Sequence, residues 1–290
     1  MIINDRSITA ADGTRVAYGV HGQGPALVLT NGITTSAFFW EHLFPEWTSR
    51  YTVITWDFKG HGRSEPARTP AGVTMEALAD DLRRILDDVG IDRAILIGFS
   101  MGSQVILEAY RLFPDRVRAL IPILGPYERV FDTALGPFGK AVGALVRLAP
   151  RPLLTPAFRT FHGVMRLPLS PRLGRLLGLV GPDTHPADLQ RFIDHFGTVH
   201  PPTVAAMAIA AGEHSAADLL PRIDVPVLVV AGESDVFAPA ARVGERMHAQ
   251  IAGAELLRMP HGTHTSLFEH HEEIGAAIAG FLGRRLSSGP

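Results

Sequence analysis

Seven short apolar runs recur along the chain, most of them continuous rather than alternating: Arg15 to Val20, Ala26 to Thr30, Val53 to Asp57, Ala94 to Gly98, Ala119 to Leu124, Val227 to Ala231 and Ala254 to Met259. Runs of this length between turn-forming residues fit strands buried on both faces. Helical periodicity lies between them, clearest in Met75, Leu78, Leu82, Ile85, Leu86 and Val89, which recur at three- and four-residue steps. Strands that alternate with helices predict an α/β fold, with a mostly parallel central sheet and helices on both faces. Glu269 to Leu286, with Ile274, Ile278, Phe281 and Leu282 on one face, is expected to close the fold as a helix.

One stretch breaks the alternation. Between Pro126 and about Pro202 no strand pattern occurs, and Pro137, Pro150, Pro152, Pro156, Pro168, Pro171 and Pro182 separate short apolar helices. Such a segment, inserted after one strand and before the next, predicts a helical cap over residues 126–202 on a core made of residues 1–125 and 203–290. Within it, Thr133 to Pro182 holds Lys140, Arg147, Arg151, Arg159, Arg166, Arg172 and Arg175 and no Asp or Glu. Two readings stay open: arginines that merely solvate helix faces, or a basic lid that attracts an anionic substrate or makes weak contact with an anionic surface.

Composition narrows the partners. A chain of 290 residues, 46% hydrophobic, can bury one large core. A net charge of −2 carries no basic surplus of the kind a nucleic-acid binder uses, so no nucleic acid is expected. With no cysteine there is neither a disulfide nor a thiolate nucleophile. The opening residues lack a basic-then-apolar start, and no apolar run approaches the ~20 residues that cross a bilayer, so a cytoplasmic protein with no integral membrane segment is expected.

The run Ala94 to Ile97 leads into Gly98-Phe99-Ser100-Met101-Gly102 and then into an amphipathic stretch from Val105. This places Ser100 at a sharp strand-to-helix turn, the G-x-S-x-G pattern that exposes a hydroxyl on a strained backbone. The flanking glycines leave room for strand and helix to approach closely. Ser100 is therefore the candidate nucleophile. A serine hydroxyl needs a base, normally histidine, and the imidazole needs an acid to fix its tautomer and stabilise its charge. Downstream, Asp235 follows the run Val227 to Ala231, and Pro260-His261-Gly262-Thr263-His264 follows the run Ala254 to Met259.

With Ser, Asp and His in that order, the chain resembles the serine hydrolases of the α/β-hydrolase fold over nearly its whole length, in their capped, esterase- or lactonase-like branch. Asp57-Phe58-Lys59-Gly60-His61-Gly62-Arg63-Ser64 is similar to the family's D-x-x-G-x-G-x-S loop, and Asn31-Gly32 stands where relatives usually carry His-Gly. The resemblance implies Ser100 as nucleophile, His264 as base and Asp235 as the acid that orients it. It implies main-chain N–H groups of Ile33 and Met101 as an oxyanion hole. Pro260 and Glu269 sit at the family's spacings from His264, while His261 remains a second choice. Glu233 and Asp132 are rivals for the acid. Asp235 fits the G-x-x-D spacing after Gly232, and Pro239 is expected to start a helix through Val243 and Met247. Asp57 to Ser64 reads as a structural turn, with His61 a loop residue.

Phe38, Phe39 and Trp40, just past the oxyanion loop that the resemblance implies, are candidate substrate contacts, with core packing the equal alternative. The implied reaction is hydrolysis of an ester-like bond in a small, moderately apolar substrate, with no cofactor. No metal site is expected, since no H-E-x-x-H or flanking aspartate accompanies His261 and His264. A lactonase, a thioesterase, a carbon–carbon bond hydrolase or a perhydrolase would use the same triad. A ligand-binding receptor that retains the triad is the alternative of another class.

Overall fold

The computed structural model describes residues 2–286, without the side chains of residues 151, 152 and 154. Eight strands form one sheet: β1 (Arg6–Thr9), β2 (Arg15–His21), β3 (Ala26–Thr30), β4 (Thr52–Trp56), β5 (Ala94–Phe99), β6 (Val117–Ile123), β7 (Leu228–Gly232) and β8 (Glu255–Met259). Their spatial order is β1-β2-β4-β3-β5-β6-β7-β8. Only β2 runs against its neighbours; every pairing from β4 to β8 is parallel.

Strands β3, β5 and β7 are buried along their whole length, as continuous apolar runs require, whereas β8 at the sheet edge buries only Met259. Along β5, Ala94 and Leu96 join one core, while Ile95, Ile97 and Phe99 join the other. Helix Met75–Val89 covers the first face with Leu78, Leu82 and Ile85, none of which retains exposed surface. Truncating any of these leucines to alanine would cost about 2–5 kcal/mol, because little around them can collapse into the void. Thr74 starts that helix by accepting the Ala77 N–H, and Gly90 ends it in the left-handed region. Helix His271–Leu286 covers the second face with Ile274, Ile278 and Phe281.

Between β6 and β7 the chain is helical: Val130–Thr133, Gly139–Leu148, Arg151–Met165, Ser170–Leu176, Pro186–Phe196 and Pro201–Glu213. The last of these spans the position where the core was expected to resume, and its Met207 and Ala211 are buried in the core beneath the sheet's first face. Among the described residues no helix is long and apolar enough to cross a membrane.

Because β3 is followed in sequence by β4 on one side and flanked by β5 on the other, the connections leave these strands in opposite directions. A crevice opens beyond the carboxyl ends of strands at such a reversal, and side chains on the loops there converge.

Candidate active site

Ser100 stands at that crevice, between β5 and helix Met101–Leu112. Its backbone has φ 53° and ψ −123°, a conformation that an L-residue holds only under constraint. The constraint is visible: the Ser100 N–H donates to the Ile123 carbonyl at 3.0 Å, and helix and strand press against each other across the turn. A Cβ on Gly98 would lie 2.4 Å from the Gly102 carbonyl oxygen, and one on Gly102 would lie 2.5 Å from that of Thr30. Both positions therefore need glycine.

The loops after β7 and β8 supply the partners. His264 Nε2 lies 2.9 Å from Ser100 Oγ, and His264 Nδ1 lies 2.8 Å from Asp235 Oδ2. Asp235 has no exposed side-chain surface, and its Oδ1 accepts the N–H groups of Phe237 at 2.8 Å and Ala238 at 3.0 Å. With Oδ1 occupied, Oδ2 faces the imidazole. The ring itself is held between Phe99 and Phe237, with centroids at 5.1 and 4.8 Å. The two loops are bound together, since Ser234 N–H donates to the Gly262 carbonyl at 3.0 Å and Glu233 N–H to that of Met259 at 3.1 Å. Three side chains far apart in sequence thus form one hydrogen-bonded row.

The rival residues lie elsewhere. Glu233 turns away to pair with Arg258 at 2.7 Å, and Asp132 is exposed on the short helix Val130–Thr133. His261 is exposed, while His271 bonds the Phe268 carbonyl and stacks on His42. The helix expected from Pro239 begins instead at Gly244, because the backbone from Pro239 to Val243 closes as successive turns and Val243 leaves the helical region. A cleft of about 640 Å³ opens away from this row, between Pro70–Glu76 and helix Pro201–Glu213, and neither Ser100, Asp235 nor His264 lines it.

The loop after β3 approaches Ser100 from the other side. A Cβ on Gly32 would come within 2.9 Å of Ser100 Cβ, so the backbone passes as close as glycine permits. Among the described residues, neither the Ile33 N–H nor the Met101 N–H finds an acceptor. The side chain of Asn31 fixes the loop: its Nδ2 donates to the Trp56 carbonyl at 2.7 Å, and its Oδ1 accepts from Trp40 Nε1 at 2.8 Å. Thr34, at φ 61°, donates its N–H to His61 Nε2 at 3.0 Å. His61 Nδ1 lies 3.0 Å from the Lys59 carbonyl, so the proton resides on Nδ1 and Nε2 is free to accept. Burial pushes this imidazole down to about 4, which keeps it neutral and able to accept. The D-x-x-G-x-G-x-S loop is thus a brace. Asp57 accepts the Arg63 N–H at 3.1 Å, and Ser64 Oγ bridges the Asp57 carbonyl and the Ala17 N–H.

Phe38, Phe39 and Trp40 form one 3-10 turn, and only part of it faces outward. Trp40 is fully buried and its indole holds Asn31, so the expected substrate contact at Trp40 gives way to a core role. Phe39 is also buried, packed on Phe99, Phe268 and Phe192. Phe38 lies against His195 and beneath the Arg191 guanidinium, both on helix Pro186–Phe196. The sequence left no trace of Phe237 beyond its place two residues after Asp235. Glu269 is more than a spacing mark: it accepts from Thr265 Oγ1 at 2.5 Å, from Thr263 Oγ1 at 3.3 Å and from Thr184. Since Gly181 N–H also donates to Thr265 Oγ1 at 2.9 Å, residues 181–184 are tied to the loop that carries His264.

Residues 25–271 match the model of the alpha/beta hydrolase fold family. The chain is 27% identical to a pimeloyl-[acyl-carrier protein] methyl ester esterase of Neisseria meningitidis over 274 residues, which covers 93% of this chain and 94% of that one. Its structure is similar to that of a hydrolase from Pseudomonas aeruginosa PA01, with a TM-score of 0.76, 27% identity and coverage of 96% and 98% of the two chains. It is also similar to Est816, described as an N-acyl homoserine lactone degrading enzyme, with a TM-score of 0.73, 25% identity and coverage of 94% and 99%. Sheet order, the strained serine between β5 and its helix, and a family match across most of the length agree, and the chain belongs to the α/β-hydrolase family as a hydrolase.

Proposed function

We propose that this protein cleaves an ester-like bond of a small, moderately apolar substrate through an acyl-enzyme on Ser100. The observation that carries the reading is the continuous row Ser100 Oγ, His264 Nε2, His264 Nδ1, Asp235 Oδ2, at 2.9 and 2.8 Å. His264 takes the Ser100 proton as Oγ bonds to the carbonyl carbon, and the carbonyl π pair moves to oxygen. The free N–H groups of Ile33 and Met101 receive that oxyanion. As the tetrahedral adduct collapses, the alkoxide leaving group departs with the proton from His264. Water then attacks the acyl-enzyme with His264 as base, and Ser100 regains its proton as the acid is released. Asp235, buried against the ring, holds the proton on Nδ1 and stabilises the transient imidazolium. The helical segment 126–202 serves as the cap over this chemistry, with Phe38 at its contact with the oxyanion loop.

A lactone, an ester closed on itself, is the second reading, favoured by the likeness to the N-acyl homoserine lactone degrading enzyme. The test is covalent labelling and turnover. A fluorophosphonate should label Ser100 once, Ser100→Ala should abolish the label, and kcat on p-nitrophenyl acetate should fall ~10⁴-fold or more. Labelling of another serine would overturn the assignment. A panel of open esters and lactones, ranked by kcat/KM, then separates the two readings. Negligible turnover, with a large rise in Tm on ligand binding, would favour a receptor.

A further inference from the structure

Among the described residues, thirteen large apolar side chains are well exposed, and eleven of them lie between Phe138 and Leu177. They recur in pairs three residues apart on consecutive helices: Leu145 with Leu148, Phe161 with Val164, and Leu173 with Leu176. Residues three apart share one side of a helix, so each helix carries an outward apolar stripe. Leu148 and Leu176 are 81% and 82% exposed. A monomer in water rarely leaves so many leucines and phenylalanines uncovered in one region.

The same segment is free of carboxylates. From Thr133 to Pro182 it carries seven Lys or Arg and no Asp or Glu, against a total of −2, so the rest of the chain holds −9. The side chain of Arg151 lies outside the described residues. Among the described residues none of the other six pairs with a carboxylate, whereas arginines of the core do so repeatedly, as in Arg83 with Asp80 and Asp87, Arg111 with Glu108 and Asp218, and Arg116 with Asp87. Lys140, Arg147, Arg159, Arg166 and Arg172 are exposed.

We infer that the outer face of helices Gly139–Leu148, Arg151–Met165 and Ser170–Leu176 docks on an anionic lipid bilayer surface, with the leucine stripes in the acyl boundary and the basic groups on lipid phosphates. Charge decides the occupant. A second copy of this face would bring its five exposed positive charges against five, and an uncharged apolar partner would strip arginines of water with nothing in return. Anionic headgroups over hydrocarbon satisfy both features at once. The inference does not depend on which residue is the nucleophile.

The experiment is flotation of the full chain with vesicles of phosphatidylcholine alone and of equal parts phosphatidylcholine and phosphatidylglycerol. Partitioning to the anionic vesicles should be at least ~10-fold stronger, since each Lys or Arg near such a surface adds to the attraction. It should weaken between about 0.1 M and about 1 M salt, as the screening length falls from ~10 Å to ~3 Å. Arg159→Glu with Arg166→Glu should lower anionic binding ~10-fold or more. Leu148→Asn with Leu176→Asn should lower it while keeping the salt dependence. Both variants should retain the native Tm and native turnover of a soluble ester, so a loss of binding is not a loss of fold. Equal or no flotation with the two vesicles, or undiminished binding by both variants, would overturn the inference. So would a concentration-dependent dimer that Leu148→Asn and Leu176→Asn dissociate, which would assign the face to a second copy.

Discussion

Asp235→Asn is the most informative single change, because the structure dictates how the new amide must sit. Oδ1 of Asp235 accepts two backbone N–H groups, from Phe237 and Ala238, and Oδ2 faces His264 Nδ1. Only the oxygen of the asparagine can take the first place. The flipped amide would leave both N–H groups without an acceptor at ~1–3 kcal/mol each, or about 2–6 kcal/mol in all. At ~1.4 kcal/mol per factor of ten, no more than about one molecule in thirty adopts it. In the remainder the amide NH₂ donates to Nδ1, which moves the imidazole proton to Nε2. That proton then points at Ser100 Oγ, and Nε2 can no longer act as base. We expect kcat on p-nitrophenyl acetate to drop ~10²- to 10⁴-fold with KM changed little, and the melting curve to remain cooperative. Asp132→Asn, on an exposed carboxylate, should stay within about threefold of wild type on the same reasoning. A folded Asp235→Asn within about fivefold of wild type would refute the argument, and a crippled Asp132→Asn would move the acid to the segment after β6.

Two further outcomes test the loop that approaches Ser100. Asn31→Ala leaves Trp40 Nε1–H and the Trp56 carbonyl buried without partners, so urea unfolding should reveal a loss of about 2–5 kcal/mol, and a loss under about 1 kcal/mol would show that water replaces the side chain. Burial also pushes His195 down to about 4, like His61, so neither ring should titrate between pH 8 and pH 5.5 in NMR spectra. An unfolded imidazole takes its proton near 6.5, so the unfolded chain binds more protons between about 6.5 and about 4; these two groups favour the fold above that window and oppose it as pH falls through it. A midpoint near 6.5 for either ring would refute their burial as neutral groups.

Much of this architecture was legible because parallel strands buried on both faces write continuous apolar runs, and β3, β5 and β7 differ from those runs by at most a residue or two. β1 was invisible for the opposite reason. It is an edge strand in which Ile8 alone is buried, and a single apolar residue among Arg6, Ser7 and Thr9 makes no pattern. Ser100, Asp235 and His264 could be picked out since each follows a strand and a turn signal, which puts all three at one edge of the sheet. What Trp40 does could not be read, because an aromatic beside a loop looks the same whether it faces substrate or core; the burial of Asn31 decides it. His61 likewise carries no local mark of its bond to Thr34, which is a contact between segments 27 residues apart.

The threonine-lined carboxylate of Glu269 joins two parts of the molecule that would otherwise respond independently to a bound substrate. Thr184 belongs to the segment between β6 and β7, while Thr263 and Thr265 flank His264 on either side. Residues 181–184 are therefore anchored to the His264 loop by hydrogen bonds, and Gly178, at φ 68°, bends the chain just upstream of that anchor. A displacement large enough to pull Thr184 away would strip the carboxylate of a donor and loosen the backbone on both sides of the imidazole. With residues 126–202 as the proposed cap, access to the crevice and alignment of the Ser100–His264–Asp235 row would be coupled through a side chain that takes part in neither.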